Sequence, residues 1–244
     1  MQQQPEVLYW QTIKLNNDGA VCLKQGDFAT ANTILSSAFK ASRLLQMRCK
    51  MEMDDGHESQ ATLLSTRSED TVDQWIGKGK LAPGNEIDEE YFVYRHPVQI
   101  PVSENEERSV NDGNPTYRRF VTISIAIVFN LALCNHLSAL MSMNHNDSKS
   151  MLQKAAKLYE CCLQLRRACP NLVLASVNNL GQIHRLLDQV ERSDECFRHL
   201  LACLVYLVDR QQGQAPKSYF CYESFFHNVS HLIFPQGTIA ARAA

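Results

Sequence analysis

The sequence has no excess of one charge, and this limits the classes of partner. Its 24 Lys and Arg residues are balanced by 26 Asp and Glu, which gives a formal net charge of −2. A nucleic-acid-binding domain usually carries a basic patch or stripe. The basic residues of 149–167 lack a regular repeat and are interpreted as a solvated helix face. We therefore expect no nucleic-acid partner.

The sequence also lacks a secretory signal at its start. MQQQPEVLYWQ has no basic region followed by an apolar core of the kind that directs secretion. Nine cysteines are present, an odd number, and none forms a CxxC pair. These features favour reduced thiols over a disulfide framework. We expect a cytoplasmic or nuclear protein that is not secreted.

Motifs that carry catalysis are missing. The chain has no GxSxG, HExxH or phosphate-loop motif, so the prediction is a protein that is not an enzyme and needs no cofactor. The alternative is a metal-binding or enzymatic protein that uses Cys196, His199 and Cys203. These residues share one helix face at i, i+3 and i+7, and thiolate and imidazole are zinc ligands. No fourth ligand is evident, and buried cysteines beside a surface histidine explain the same stripe.

No Asp, Glu, Lys or Arg occurs between Phe120 and Asn146. About 20 apolar residues are enough to span a bilayer. Asn130, Asn135 and His136 fall in the middle of this run, however, and a helix that is apolar on all sides is also typical of a protein core. We predict a buried core helix and no membrane partner.

The chain divides into helical regions separated by an acidic insert. Residues 6–50 are predicted to form a first helix pair, 116–210 two more pairs, and 216–234 a C-terminal capping helix. Residues 51–115 are the insert, with 15 Asp or Glu against 6 Lys or Arg between Lys50 and Asn114. Within it, YFVYRHPVQIPV alternates like a strand but contains two prolines, which predicts an edge strand or an extended segment. The rest of the insert is predicted to be partly disordered.

A short pattern recurs in the helical regions. VNNLGQIH places Gly181 in a helix where glycine costs about 1 kcal/mol against alanine. Twelve residues later comes Ser193, and four after that Phe197. LNNDGAVC places Gly19 at the same distances from Ala31 and Leu35.

These spacings resemble the tetratricopeptide repeat, a helix–turn–helix unit of 34 residues. A middle unit around Asn130-Leu131-Ala132 follows the pattern only if Ala155 and Tyr159 are accepted eleven residues late. That shift predicts an insertion in its turn, at about 142–151. The chain is also similar overall to a group of helical-repeat proteins of diatoms, which implies no activity.

The resemblance implies an all-α fold, a tetratricopeptide-like antiparallel helix-pair array (α-solenoid) with the acidic insert. Each glycine would let its helix approach the small residue of the second helix, Ala31 or Ser193. The first helices of tetratricopeptide repeats line a concave groove, where asparagine can bind a peptide backbone. The alternative is a structural asparagine bonded to a neighbouring helix. The implied partner-binding residues are Asn16, Asn17, Phe129, Asn130, His136, Asn178, Asn179, Gln182 and Arg185.

The resemblance thus predicts a scaffold that binds a protein or peptide partner. Two further surfaces are open to alternative interpretations. The acidic residues 52–88 could occupy the groove and regulate it, or could only keep the linker soluble. The aromatic stretch SYFCYESFFHNVSHLIF could cap the last repeat, fill the groove or mediate self-association.

Overall fold

A computed structural model of the chain describes residues 5–54, 92–101, 117–164, 170–210 and 223–233. Within these ranges the secondary structure is helical, apart from short turns and the segment 92–101. The predicted all-α fold is therefore confirmed for this part of the chain. The predicted disorder of most of the insert lies outside the described residues.

The described part contains seven helices, numbered here in chain order. They are α1 (Pro5–Lys24), α2 (Phe28–Asp54), α3 (Tyr117–Met141), α4 (His145–Gln164), α5 (Pro170–Leu186), α6 (Val190–Arg210) and α7 (Glu223–Ile233).

The helices pack in two ways. Each helix contacts the next one along the chain, so that neighbours form packed pairs. The odd-numbered helices also contact each other in order, α1 with α3, α3 with α5 and α5 with α7. They therefore form one row, which presents equivalent positions of successive helices side by side.

Two of the turns share one geometry. The N–H of Asp27 donates to the carbonyl of Cys22 at 3.0 Å, and that of Gln189 donates to the carbonyl of His184 at 2.8 Å. The intervening Gly26 and Asp188 have φ values of +78° and +57°. A left-handed residue followed by a bond back over five residues is the Schellman ending of a helix. Asp27 then accepts from the N–H of Thr30 at 3.1 Å and caps α2.

The middle pair corrects the predicted turn insertion at 142–151. Three residues separate α3 from α4, as they separate α1 from α2 and α5 from α6. The eleven extra residues instead lengthen the helices. α3 continues nine residues beyond Ala132, whereas α1 and α5 continue five beyond their glycines. Seven more residues precede Ala155 in α4. Because eleven residues are about three helical turns, both helices keep the same faces toward their neighbours.

The glycines lie at close helix contacts, as predicted, and the side chains nearest to them are large and apolar. A Cβ on Gly19 would come within 2.6 Å of Leu35, and one on Gly181 within 2.8 Å of Phe197. The predicted Ser193 also faces Gly181, since its hydroxyl donates to the carbonyl of Gly181 at 2.9 Å. The absent side chain thus makes room for a large apolar residue.

The uncharged run lies mainly in α3. Residues Phe120–Met141 are the one stretch of the described helices that is long and apolar enough to cross a membrane, and most of this stretch is buried inside the protein. Such burial is typical of the core helix of a soluble protein, and one helix of this kind is weak evidence for a membrane span.

Candidate functional site

The segment 92–101, called the docked segment below, lies along the row of odd-numbered helices. It runs from α7 past α5 and α3 to α1. Six asparagines of these helices hydrogen-bond its backbone directly. They form a first triplet, Asn16, Asn17 and Asn130, and a second triplet, Asn178, Asn179 and Asn228.

The first triplet binds Val98 and Ile100. Asn130 accepts from the N–H of Val98 and donates to its carbonyl, both at 2.8 Å. Asn17 does the same for Ile100, at 2.8 and 2.7 Å. Asn16 joins the two, because its Nδ2 donates to the Val98 carbonyl and to Asn17 Oδ1 while its Oδ1 accepts from Asn130.

The second triplet repeats this pattern bond for bond on Phe92 and Tyr94. Asn228 bonds both backbone groups of Phe92 at 2.9 and 2.7 Å. Asn179 bonds both groups of Tyr94 at 2.8 and 2.9 Å. Asn178 again takes the joining position, donating to the Phe92 carbonyl and to Asn179 and accepting from Asn228.

The bonding pattern defines the conformation of the docked segment. In an extended chain, the N–H and C=O of one residue point to the same side, and residues two apart share that side. Phe92 and Tyr94 are two apart, as are Val98 and Ile100, and each is bonded through both groups. The docked segment is therefore extended through each triplet. The sequence predicted an edge strand or an extended segment here, and residues 92–101 form neither a helix nor a strand.

Side chains of the bonded residues point into the apolar core. Tyr94, Val98 and Ile100 are buried, and Phe92 is half-buried. The Tyr94 ring stacks on Phe225 of α7 with centroids 6.0 Å apart, and meets the edge of Phe129 at 6.1 Å. Arg95 and Pro101 are exposed. The docked segment thus has an inward face that packs and an outward face that meets solvent.

Residues 95–97 lie between the residues that the two triplets bond. Tyr94 and Val98 are therefore four positions apart, whereas the two residues bonded by one triplet are two positions apart. Near these residues, the imidazole of His136 in α3 is fully buried, and neither ring nitrogen has a hydrogen-bond partner among the described residues. Burial, and secondarily the charge of Arg95, lowers the pKa of His136 to about 3. His136 is therefore neutral at physiological pH.

The implied binding residues fall into four groups. Asn16, Asn17, Asn130, Asn178 and Asn179 bond the docked segment. Phe129 packs against it, and His136 and Gln182 are buried. Arg185 is exposed near the end of α5.

Sequence reasoning missed Asn228. The triplet Asn228-Val229-Ser230 has the pattern of a glycosylation site, which does not indicate a place in the row. The chain carries a better signal, since Asn130, Asn179 and Asn228 are spaced at equal intervals of 49 residues. This regular spacing would have marked α7 as another member of the row.

The residues that occupy the row belong to the insert. Two alternatives were open for the acidic residues 52–88, that they occupy the groove or that they only keep the linker soluble, and residues 55–88 lie outside the described part of the chain. The docked segment lies outside that range and contains no Asp or Glu. Amide hydrogen bonds and apolar packing hold it in place.

The Cys196/His199/Cys203 stripe does not assemble a metal site. Among the described residues, no group of three or more His, Cys, Asp or Glu is arranged to hold a metal ion. Burial, with a contribution from Glu195 and Glu160, raises the pKa of Cys196 to about 11. Its thiol is therefore protonated at neutral pH.

Comparisons of the chain with protein-family models, with curated proteins and with solved structures found no match.

Proposed function

We propose that this protein is a protein-interaction module, a tetratricopeptide-like α-solenoid that binds an extended peptide along its odd-numbered helices. The observation that carries the proposal is the pair of asparagine triplets, each bonded to both backbone groups of two alternate residues. The succession of helix pairs supports the solenoid, since each odd-numbered helix also contacts the next.

The triplets suit a binding role because they recognise backbone. An asparagine amide has an acceptor oxygen and a donor nitrogen, and so matches the N–H and C=O of one peptide unit. Every non-proline residue offers these groups, whatever its side chain. Selectivity then comes from the buried faces that receive Tyr94, Val98 and Ile100.

The bonds are strong enough to hold a peptide when they act together. A typical hydrogen bond contributes about 0.5–1.5 kcal/mol net, and each triplet makes four bonds through the two bidentate asparagines. Apolar side chains add to this on burial, at about 25 cal/mol per Å². Loss of translational freedom opposes both terms.

The proposal predicts that the row binds the docked sequence supplied as a separate peptide. The probe is a labelled synthetic peptide of residues 90–103, EYFVYRHPVQIPVS, and binding is measured by fluorescence anisotropy. The receptor is the full chain with Tyr94→Ser and Val98→Ser, which removes two buried anchors of the resident segment. We expect saturable binding, which a further Asn179→Ala substitution weakens at least about tenfold.

Two controls distinguish recognition of the peptide backbone from nonspecific binding. Asn135→Ala changes an asparagine of α3 that bonds the carbonyl of Leu131 in its own helix, and should leave binding unchanged. A peptide N-methylated at Tyr94 and Val98 loses two bonded N–H groups and should bind poorly, whereas N-methylation at Arg95 and Gln99 should have a smaller effect. If the unmodified peptide fails to bind a receptor that is folded by circular dichroism, the proposed function is wrong.

A further inference from the structure

We propose that the docked segment is a tethered competitor, which keeps the row closed until a peptide of similar pattern from another protein displaces it. This inference rests on the proposed function and adds its regulation. The partner is defined by its chemistry, an extended chain with apolar residues at positions i, i+2, i+6 and i+8. In this chain Phe92, Tyr94, Val98 and Ile100 occupy those positions.

The spacing follows from the two triplets. Each binds residues two apart, and equivalent positions in the two triplets lie six residues apart on the docked segment. The side chains differ, aromatic at one triplet and β-branched at the other, although the bonds to their backbones are the same. A partner therefore needs the spacing and apolar character of these residues rather than their identity.

Three features of the docked segment would allow a second peptide to replace it. It contributes no helix or strand to the array, and the helices of the array contact one another in an unbroken order. Its bonds to the triplets are made by asparagine side chains, which a second backbone could accept in the same way. Arg95 and Pro101 are exposed, so its outward face is open to solvent.

Its attachment to the chain supplies the competition. The docked segment is joined to α2 by 37 residues and to α3 by 15. A ligand attached through a short connection has an effective concentration on the order of millimolar. To displace the docked segment, a free peptide must be present above this effective concentration or must bind the row more tightly than the docked segment does. The closed state therefore excludes peptides that bind the row weakly.

Charge plays a minor part in this competition. The docked segment carries no acidic residue, and the hydrogen bond from the Lys24 ammonium of α1 to Gln99 is exposed. Screening acts on exposed charges, over about 8 Å at physiological ionic strength. The competition should consequently depend little on added salt.

The test compares the native full chain with the Tyr94→Ser/Val98→Ser chain, using the labelled peptide of residues 90–103. We expect the native chain to bind at least about tenfold more weakly, because its own segment competes, with a ratio insensitive to salt. Equal affinities would overturn the closure and leave the proposed function standing. Binding to neither folded chain would overturn the proposed function itself.

A second measurement uses the native chain alone, and so decides the matter even if the substituted chain does not fold. Hydrogen exchange is followed at the amides of Tyr94 and Val98 while unlabelled peptide is added. Displacement should remove their protection with a saturable dependence on peptide, and the helices should stay protected. Protection that persists up to the solubility limit of the peptide would contradict the proposal.

A third outcome would reassign the partner. If the concentrated native chain forms dimers by sedimentation, and the peptide dissociates them, the segment of a second copy is the displacing ligand. That result would overturn the assignment to another protein. A chain that stays monomeric at all concentrations supports it.

Discussion

The two asparagine triplets make the same bonds in different surroundings. The first joins α1 to α3, two long helices, and receives the β-branched Val98 and Ile100. The second joins α5 to α7, which has 11 residues, and receives the aromatic Phe92 and Tyr94. Because the bonding pattern survives this change of side chain, we infer that it recognises the backbone. The helices determine how firmly each triplet is held.

The largest expected effect comes from removing the asparagine of each triplet that binds Val98 or Phe92. Asn130→Ala leaves two buried backbone groups of Val98 without their main partner, and we expect a loss of about 3 kcal/mol in unfolding free energy. Asn228→Ala should cost about 1–2 kcal/mol, since the half-buried Phe92 can recover bonds to water. Urea denaturation measures both.

Asn135→Ala serves as the matched control for this pair of variants. Its amide bonds the carbonyl of Leu131 within α3, so the cost should stay within about 0.5 kcal/mol. Equal losses at Asn130 and Asn228 would mean that the surroundings of the triplets do not differ in the way described.

A second large effect on the unfolding free energy is expected at acidic pH, and it comes from His136. The pKa of His136 is about 3 in the folded protein, against about 6.5 unfolded. Between these values the unfolded chain binds a proton that the folded chain does not. Stability should therefore fall as the pH drops below 6.5, by about 2–3 kcal/mol at pH 4.5 from this residue alone.

His136→Phe isolates that contribution, because it keeps an aromatic ring and removes the titration. Unfolding free energies of the native chain and the variant are compared from pH 7 to pH 4.5. We expect the variant to lose less stability over this range. Parallel pH profiles would show that His136 is not buried in its neutral form.

A smaller effect on stability is expected at Gly19 and Gly181, which lie where α1 contacts α2 and where α5 contacts α6. Alanine gains about 1 kcal/mol of helix propensity over glycine, but its Cβ would overlap Leu35 or Phe197, and overpacking costs about 1–3 kcal/mol. Gly19→Ala should lose more than Gly181→Ala, since it meets the branch point of Leu35 at 2.6 Å, whereas the ring of Phe197 can shift. A gain in thermal stability from both variants would disprove the close contacts.

The smallest effect is expected from changing a side chain over a triplet while keeping the backbone. Ile100→Val removes one methylene and should cost about 0.5–1.5 kcal/mol. In this variant, the rate of hydrogen exchange at the amide of residue 100 should change only as much as the change in overall stability requires. A selective loss of protection at Ile100 would show that the side chain, rather than Asn17, positions that backbone.

Much of the array could be predicted from the sequence, because its signals are local. Helical patterning predicted the first helix pair, and two prolines with alternating apolar residues predicted an edge strand or an extended segment. Five asparagines and Phe129 were selected from their places in the repeated pattern. The longer α3 and α4 were misjudged as a turn insertion, since a shift of three whole helical turns leaves the apolar pattern intact.

The location of the docked segment could not be predicted in the same way. The bonds between Phe92 and Asn228 join residues 136 positions apart, and no local pattern specifies such a pairing. Charge gave no indication of it either, because the docked segment carries no Asp or Glu. The equal spacing of three asparagines was the available signal, and it pointed to the helices rather than to what they bind.

The most direct test of the account is amide hydrogen exchange along residues 92–100 of the native chain, resolved by residue with NMR. We expect slow exchange at Phe92, Tyr94, Val98 and Ile100, whose N–H groups donate to asparagines, and faster exchange at Val93, Arg95 and Gln99. Uniformly fast exchange across the segment, in a protein whose helices are protected, would contradict it.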